Sequence, residues 1–80
     1  MQSMKIYGKE NCIWCEKAIS LAEKHHIPYT YKKIEDMEVR DTLLKLLPDV
    51  KTVPQIWFDG KHVGGYEDLK ELLDGRHSNS

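Results

Sequence analysis

The 80-residue sequence predicts an α/β fold: a mixed four-stranded sheet with three helices, in the order β-α-β-α-β-β-α. Three observations predict it. Short β-rich runs at residues 4–7, 29–34 and 55–58 alternate with stretches of helical periodicity. A helical crossover between the first two strands makes them parallel and right-handed. Asp59-Gly60, between two strand-like runs, is a two-residue hairpin signal, so the last two strands are antiparallel.

Each element has its own punctuation. Residues 4–7 (Met-Lys-Ile-Tyr) alternate apolar and polar and close on Gly8. Over residues 13–26, Cys15, Ala18, Ile19 and Ala22 recur at three- and four-residue spacing, and Pro28 ends the helix. Residues 29–34 are rich in β-formers. The acidic run at 35–38 suits a helix N-terminus and leads into residues 39–47, closed by Pro48. Residues 55–58 form the third strand and 61–63 the fourth. After Gly64-Gly65 a short helix over 67–73 is expected, stopped by Gly75, and residues 76–80 form a polar tail expected to fray. The chain has no repeats or low-complexity segments, and residues 1–80 read as one domain.

Charge excludes several function classes. Twelve basic and thirteen acidic residues are interspersed, for a formal charge of −1. Nothing there attracts nucleic acid or an anionic membrane. No apolar run approaches the roughly 18 residues of a membrane helix, and no signal peptide is expected from Met1–Met4, where no hydrophobic stretch follows a charged start. The expected compartment is cytoplasmic, where a disulfide is usually transient and catalytic.

The two cysteines, Cys12 and Cys15, are the chemistry-bearing pair. As a staple they are poor, because a loop of about four residues contributes only roughly 2 kcal/mol before strain is subtracted. Cys12 falls in the loop after the first strand and Cys15 in the first helical turn. The unpaired N–H groups and partial positive charge of a helix N-terminus stabilise a thiolate at Cys12, so its pKa is expected below the free value of about 8.5. Lys9 adds positive field. Cys12 should therefore attack and Cys15, the more buried, resolve. Cys-x-x-Cys is also half of a zinc site, but a closed structural site wants four ligands and no other cysteine exists; no metal is expected. His25, His26, His62 and His77 read as solvated helix-end and strand residues.

Three separated motifs resemble the glutaredoxin family over residues 4–73: Cys12-Ile13-Trp14-Cys15, Thr52-Val53-Pro54, and Gly64-Gly65-Tyr66-Glu67-Asp68-Leu69. The resemblance implies a thioredoxin-like fold, a cis bond before Pro54, and a Val53 backbone free to pair with an extended substrate. It also implies glutathione as reducing co-substrate, with no tightly bound cofactor. The γ-glutamyl end should meet Gly65, Tyr66, Glu67 and Asp68, where closely approaching backbone and a helix N-terminus suit a carboxylate. The cysteinyl backbone should pair with Val53, between Thr52 and Pro54. The glycine carboxylate should lie near Lys9 and Lys51, with Trp14 flanking the groove. The implied activity is glutathione-dependent reduction of protein disulfides and glutathione mixed disulfides. Implied partners are glutathione and disulfide-bearing proteins, ribonucleotide reductase among them, with the chain a monomer. Two alternatives share the motifs: a redoxin reduced by thioredoxin reductase, and a carrier of an iron–sulfur cluster. The sequence departs from the commonest dithiol pattern at Ile13, where proline is usual, and at Trp14, where tyrosine is usual.

Overall fold

Strands and helices alternate as the sequence predicts in the computed structural model, which describes residues 2–78. The elements are β1 (Met4–Gly8), α1 (Ile13–Lys24), β2 (Tyr29–Lys33), α2 (Met37–Leu46), β3 (Gln55–Phe58), β4 (Lys61–Gly64) and α3 (Tyr66–Ser78). The sheet order is β2-β1-β3-β4. β1 pairs parallel with β2 and antiparallel with β3, and β3 pairs antiparallel with β4. Asp59 and Gly60 both have positive φ, 52° and 84°, as a type I′ hairpin turn requires.

The pleat sorts the side chains onto two faces. Met4 and Ile6 of β1 and Ile56 and Phe58 of β3 join Ala18, Leu21 and Ala22 of α1 and Leu69 and Leu73 of α3 in one core. Leu21, rather than Ile19, completes the buried face of α1; Ile19 is half-buried at its edge. The alternate positions, Lys5, Tyr7 and Trp57, share a cleft with Leu46, so α2 lies over the opposite face.

Two helix ends differ from expectation, each for a local reason. α1 stops at Lys24 rather than at residue 26. His26 adopts φ 58°, its N–H donates to the Glu23 carbonyl at 3.1 Å, and the Ile27 N–H donates to the Ala22 carbonyl at 2.9 Å. This is a Schellman cap, which satisfies the last carbonyls and turns buried Ile27 into the core. α3 runs through Gly75 to Ser78. Gly75 is not in the left-handed conformation that would end the helix there. Asn79 and Ser80, the rest of the expected tail, lie outside the described residues. Among the described residues no helix is long and apolar enough to cross a membrane.

Candidate active site

The strand order gathers the three motifs at one end of the sheet. β1 runs antiparallel to β3, so Tyr7, just before the cysteine loop, pairs with Gln55, just after Pro54. At the same end Gly64 pairs with Ile56, and α3 starts there.

Cys12 is the N-cap of α1, at φ −114° and ψ 108°. Its carbonyl accepts the Glu16 N–H at 3.0 Å, and its Sγ accepts the Cys15 N–H at 3.2 Å. The sulfur thus takes the bond that a Ser or Asp oxygen makes in an ordinary N-cap. Cys12 and Cys15 are joined as a disulfide, with Cα atoms 5.2 Å apart. Cys15 is 0% exposed and Cys12 7%, whereas Ile13 and Trp14 between them are 67% and 51% exposed. Cys15 is therefore sealed in the interior and Cys12 lies at its rim.

The residues leading into Cys12 are tied to the end of β2. The Tyr31 hydroxyl donates to the Lys9 carbonyl at 2.7 Å, with its ring crossing Gly8, where an added Cβ would collide with it. The Glu10 N–H donates to Glu35 Oε2 at 2.9 Å, and Lys33 pairs with the Glu10 carboxylate at 3.2 Å. The Glu10 N–H, and then its own N–H, hold the Glu35 carboxyl below its ordinary pKa, with Lys33 and Lys9 adding to the effect. Desolvation, then the Glu35 charge, push Tyr31 up, so its hydroxyl stays a donor. Asn11, at φ 54°, makes the last bend before the cap.

The second motif carries the cis Val53-Pro54 bond that the resemblance implies. Pro54 is buried, and the Val53 N–H and C=O make no hydrogen bond among the described residues. Lys9, Lys51, Thr52 and Val53 line one cleft, and Arg40 of α2 joins them. Arg40 escaped the sequence reading because nothing in a helical register says which loop the helix will face.

The third motif is split. Tyr66 and Glu67 line a second cleft with Trp14, Lys17 and Lys70. The Trp14 and Tyr66 rings lie 5.7 Å apart, and Lys17 Nζ sits 4.5 Å over the Trp14 ring, the i, i+3 spacing that could have signalled it. Gly65, not Tyr66, is the cap of α3: its carbonyl accepts the Leu69 N–H at 3.1 Å and its N–H donates to Asp68 Oδ2 at 3.1 Å. Asp68 thus closes the first turn from within, as the acidic residue of a capping box does. It packs so closely on Gly64, at φ 123°, that a Cβ there would strike its carboxylate. Asp68 lines neither cleft; it borders a larger one with Phe58, His62, Val63 and Leu72, away from the cysteines.

A Cys-x-x-Cys pair heading the first helix, with a cis-proline loop at the same end of a mixed sheet, defines a thiol–disulfide oxidoreductase of thioredoxin-like fold. The glutaredoxin family model matches residues 4–63. Glutaredoxin 1 of Escherichia coli is 39% identical over 80 residues, covering 86% of this chain and 94% of that one. Among solved structures, glutaredoxin 1 from Francisella tularensis, complexed with cacodylate, superposes with a TM-score of 0.79 at 27% identity, covering 98% of this chain and 99% of that one. A buckwheat glutaredoxin–glutathione complex shares the fold with a TM-score of 0.74 at 22% identity, covering 92% and 71%. The chain belongs to the glutaredoxin family, whose members are thiol–disulfide oxidoreductases.

Proposed function

We propose that the chain is a glutathione-dependent dithiol reductant of protein disulfides and glutathione mixed disulfides, with Cys12 as nucleophile and Cys15 as resolving thiol. One observation carries this reading: Cys12 caps α1 with its sulfur accepting the Cys15 N–H. A hydrogen bond to sulfur and the positive end of a helix both favour the thiolate, the attacking species. The Cys12 thiolate attacks one sulfur of a client disulfide, releasing the other as a thiolate that takes a proton from water. Cys15 then attacks Cys12 Sγ, which frees the second client thiol and forms the Cys12–Cys15 disulfide. One glutathione thiolate reopens it as a Cys12 mixed disulfide, and a second leaves with the first as glutathione disulfide. Two electrons pass from two glutathiones to the client.

The groove chemistry supports glutathione as donor. Its glycine carboxylate matches the cations Lys9, Arg40 and Lys51. Its cysteinyl backbone matches the unpaired Val53 N–H and C=O, added as a short strand beside Thr52 and Pro54. Its γ-glutamyl end matches the start of α3 at Gly65, with Glu67 for the ammonium and the Trp14–Tyr66 pair as an apolar wall. The buckwheat glutaredoxin of the same fold is itself in complex with glutathione. The reading extends to a monomer in the cytoplasm acting on disulfide-bearing proteins, ribonucleotide reductase among the candidate clients.

The test is exchange with a small glutathione mixed disulfide, coupled through glutathione reductase, for wild type, Cys12→Ser and Cys15→Ser. Cys12→Ser should be inactive, and Cys15→Ser should retain exchange while losing dithiol reduction of a protein disulfide. Turnover with thioredoxin reductase and none with glutathione would overturn the donor assignment.

A further inference from the structure

The loop that carries Val53 is held from the α2 face of the sheet, opposite the face on which α1 and α3 pack. Gln55 points to the α2 side, where its Nε2 donates to the Thr52 carbonyl at 3.0 Å and to Thr52 Oγ1 at 3.3 Å. A carbonyl can only accept, so this fixes the amide orientation and turns Oε1 toward His62 Nε2, 2.9 Å away. Oε1 is itself only an acceptor, so His62 donates from Nε2. The His62 ring lies 4.6 Å from Trp57, which meets buried Tyr7 edge-on at 5.3 Å. A side chain on β4, seated on an aromatic pair, thus steadies Gln55, and Gln55 grips the residue before Val53.

The geometry points to Gln55 and His62 as positioning residues for the Val53 binding edge. They touch neither the cysteines nor the substrate. Gln55 fixes the Thr52 carbonyl, and with it the Val53 N–H in the same planar peptide unit, from which the following peptide presents the Val53 C=O. His62 acts only through Gln55. This inference rests on the proposed role of Val53, and predicts a binding defect separable from the thiol chemistry: an interaction that orients substrate equally in ground and transition states moves KM and not kcat.

Gln55→Ala should raise KM for the glutathione mixed disulfide about tenfold, as expected for losing a pair of hydrogen bonds at a binding edge, with kcat within about twofold of wild type. The alkylation rate of Cys12 by iodoacetamide should not change. Gln55→Glu keeps the shape, puts an acceptor where Nε2 donates, and should raise KM at least as much, so the test survives if the alanine variant folds poorly. His62→Ala should give a smaller rise that disappears in the Gln55→Ala background, since the two residues share one path. The Val53 amide resonance should move in every variant. A KM within twofold of wild type for both Gln55 variants, with Val53 unmoved, overturns the proposal; full additivity of the double variant overturns the part assigned to His62. Should wild type itself fail to turn over the glutathione substrate, the glutathione reading falls, and the Val53 resonance alone decides the relay.

Discussion

Cys12 does two jobs with one atom. Its sulfur closes the first turn of α1 and is also the atom proposed to attack the client disulfide. The residues that precede it, Lys9 and Glu10, are held by Tyr31 and Lys33 of β2 and by Glu35 just beyond that strand. Glu35 is the member of this set whose grip depends on acidity. Its carboxyl is lowered chiefly by the Glu10 N–H, so its contribution is present above the ordinary value of 4.5 and is lost as pH falls below it through the folded-state value. Glu35→Gln should therefore unfold more readily than wild type near pH 7, and the gap between their urea midpoints should close toward pH 3. A gap independent of pH would show that the Glu35 charge plays no part.

At the scale of elements, the ends of the helices decide what the loops can present. The Schellman cap at the end of α1 uses His26 in a left-handed conformation, where a side chain with a Cβ is at a disadvantage. His26 is exposed, so removing its side chain sacrifices little packing. His26→Gly should raise the urea midpoint by the equivalent of about 0.5–1 kcal/mol, the relief of the backbone penalty less the added freedom of glycine in the unfolded chain. A lowered midpoint would mean that the His26 side chain makes a stabilising contact. At the other end of the chain, the Asp68 cap explains why Gly64 must be glycine: both its φ and the space its missing Cβ leaves are used.

The whole molecule is unevenly consolidated. α1 buries Cys15, Ala18, Leu21 and Ala22 against the sheet and α3 buries Leu69 and Leu73, whereas α2 buries Leu43 alone and leaves Met37, Leu44 and Leu46 exposed. Local opening follows apolar burial. Amide hydrogen exchange should thus be slowest in β1 and β3, which carry Ile6 and Ile56 at the centre of the core, and fastest among the helices in α2. Arg40 lies on that helix, so the cation it adds to the Lys9–Lys51 cleft sits on the helix expected to open most readily. Protection in α2 equal to that in α1 would contradict this ordering.

The element types, the hairpin and the nucleophile pair were legible in the residues themselves, because each rests on short-range rules: alternation for strands, three- and four-residue spacing for helices, Asp59-Gly60 for the turn, Cys-x-x-Cys at a helix head for the chemistry. The ends of α1 and α3 were less legible, since a histidine can take the left-handed cap usually given to glycine, and a glycine can continue a helix. Two of the three strand pairings were legible as well; what the sequence did not state was that β1 pairs with β3. Tertiary structure put β1 between β2 and β3, brought the Cys12 loop, Val53-Pro54 and Gly64-Gly65 to one end, added Arg40, and turned Gln55 and His62 onto each other. Local rules act within a turn or a strand. Neighbourhood is decided by the burial of Ile6, Ile56, Leu69 and their partners in a shared core, an energy that belongs to the assembled chain and to no single segment.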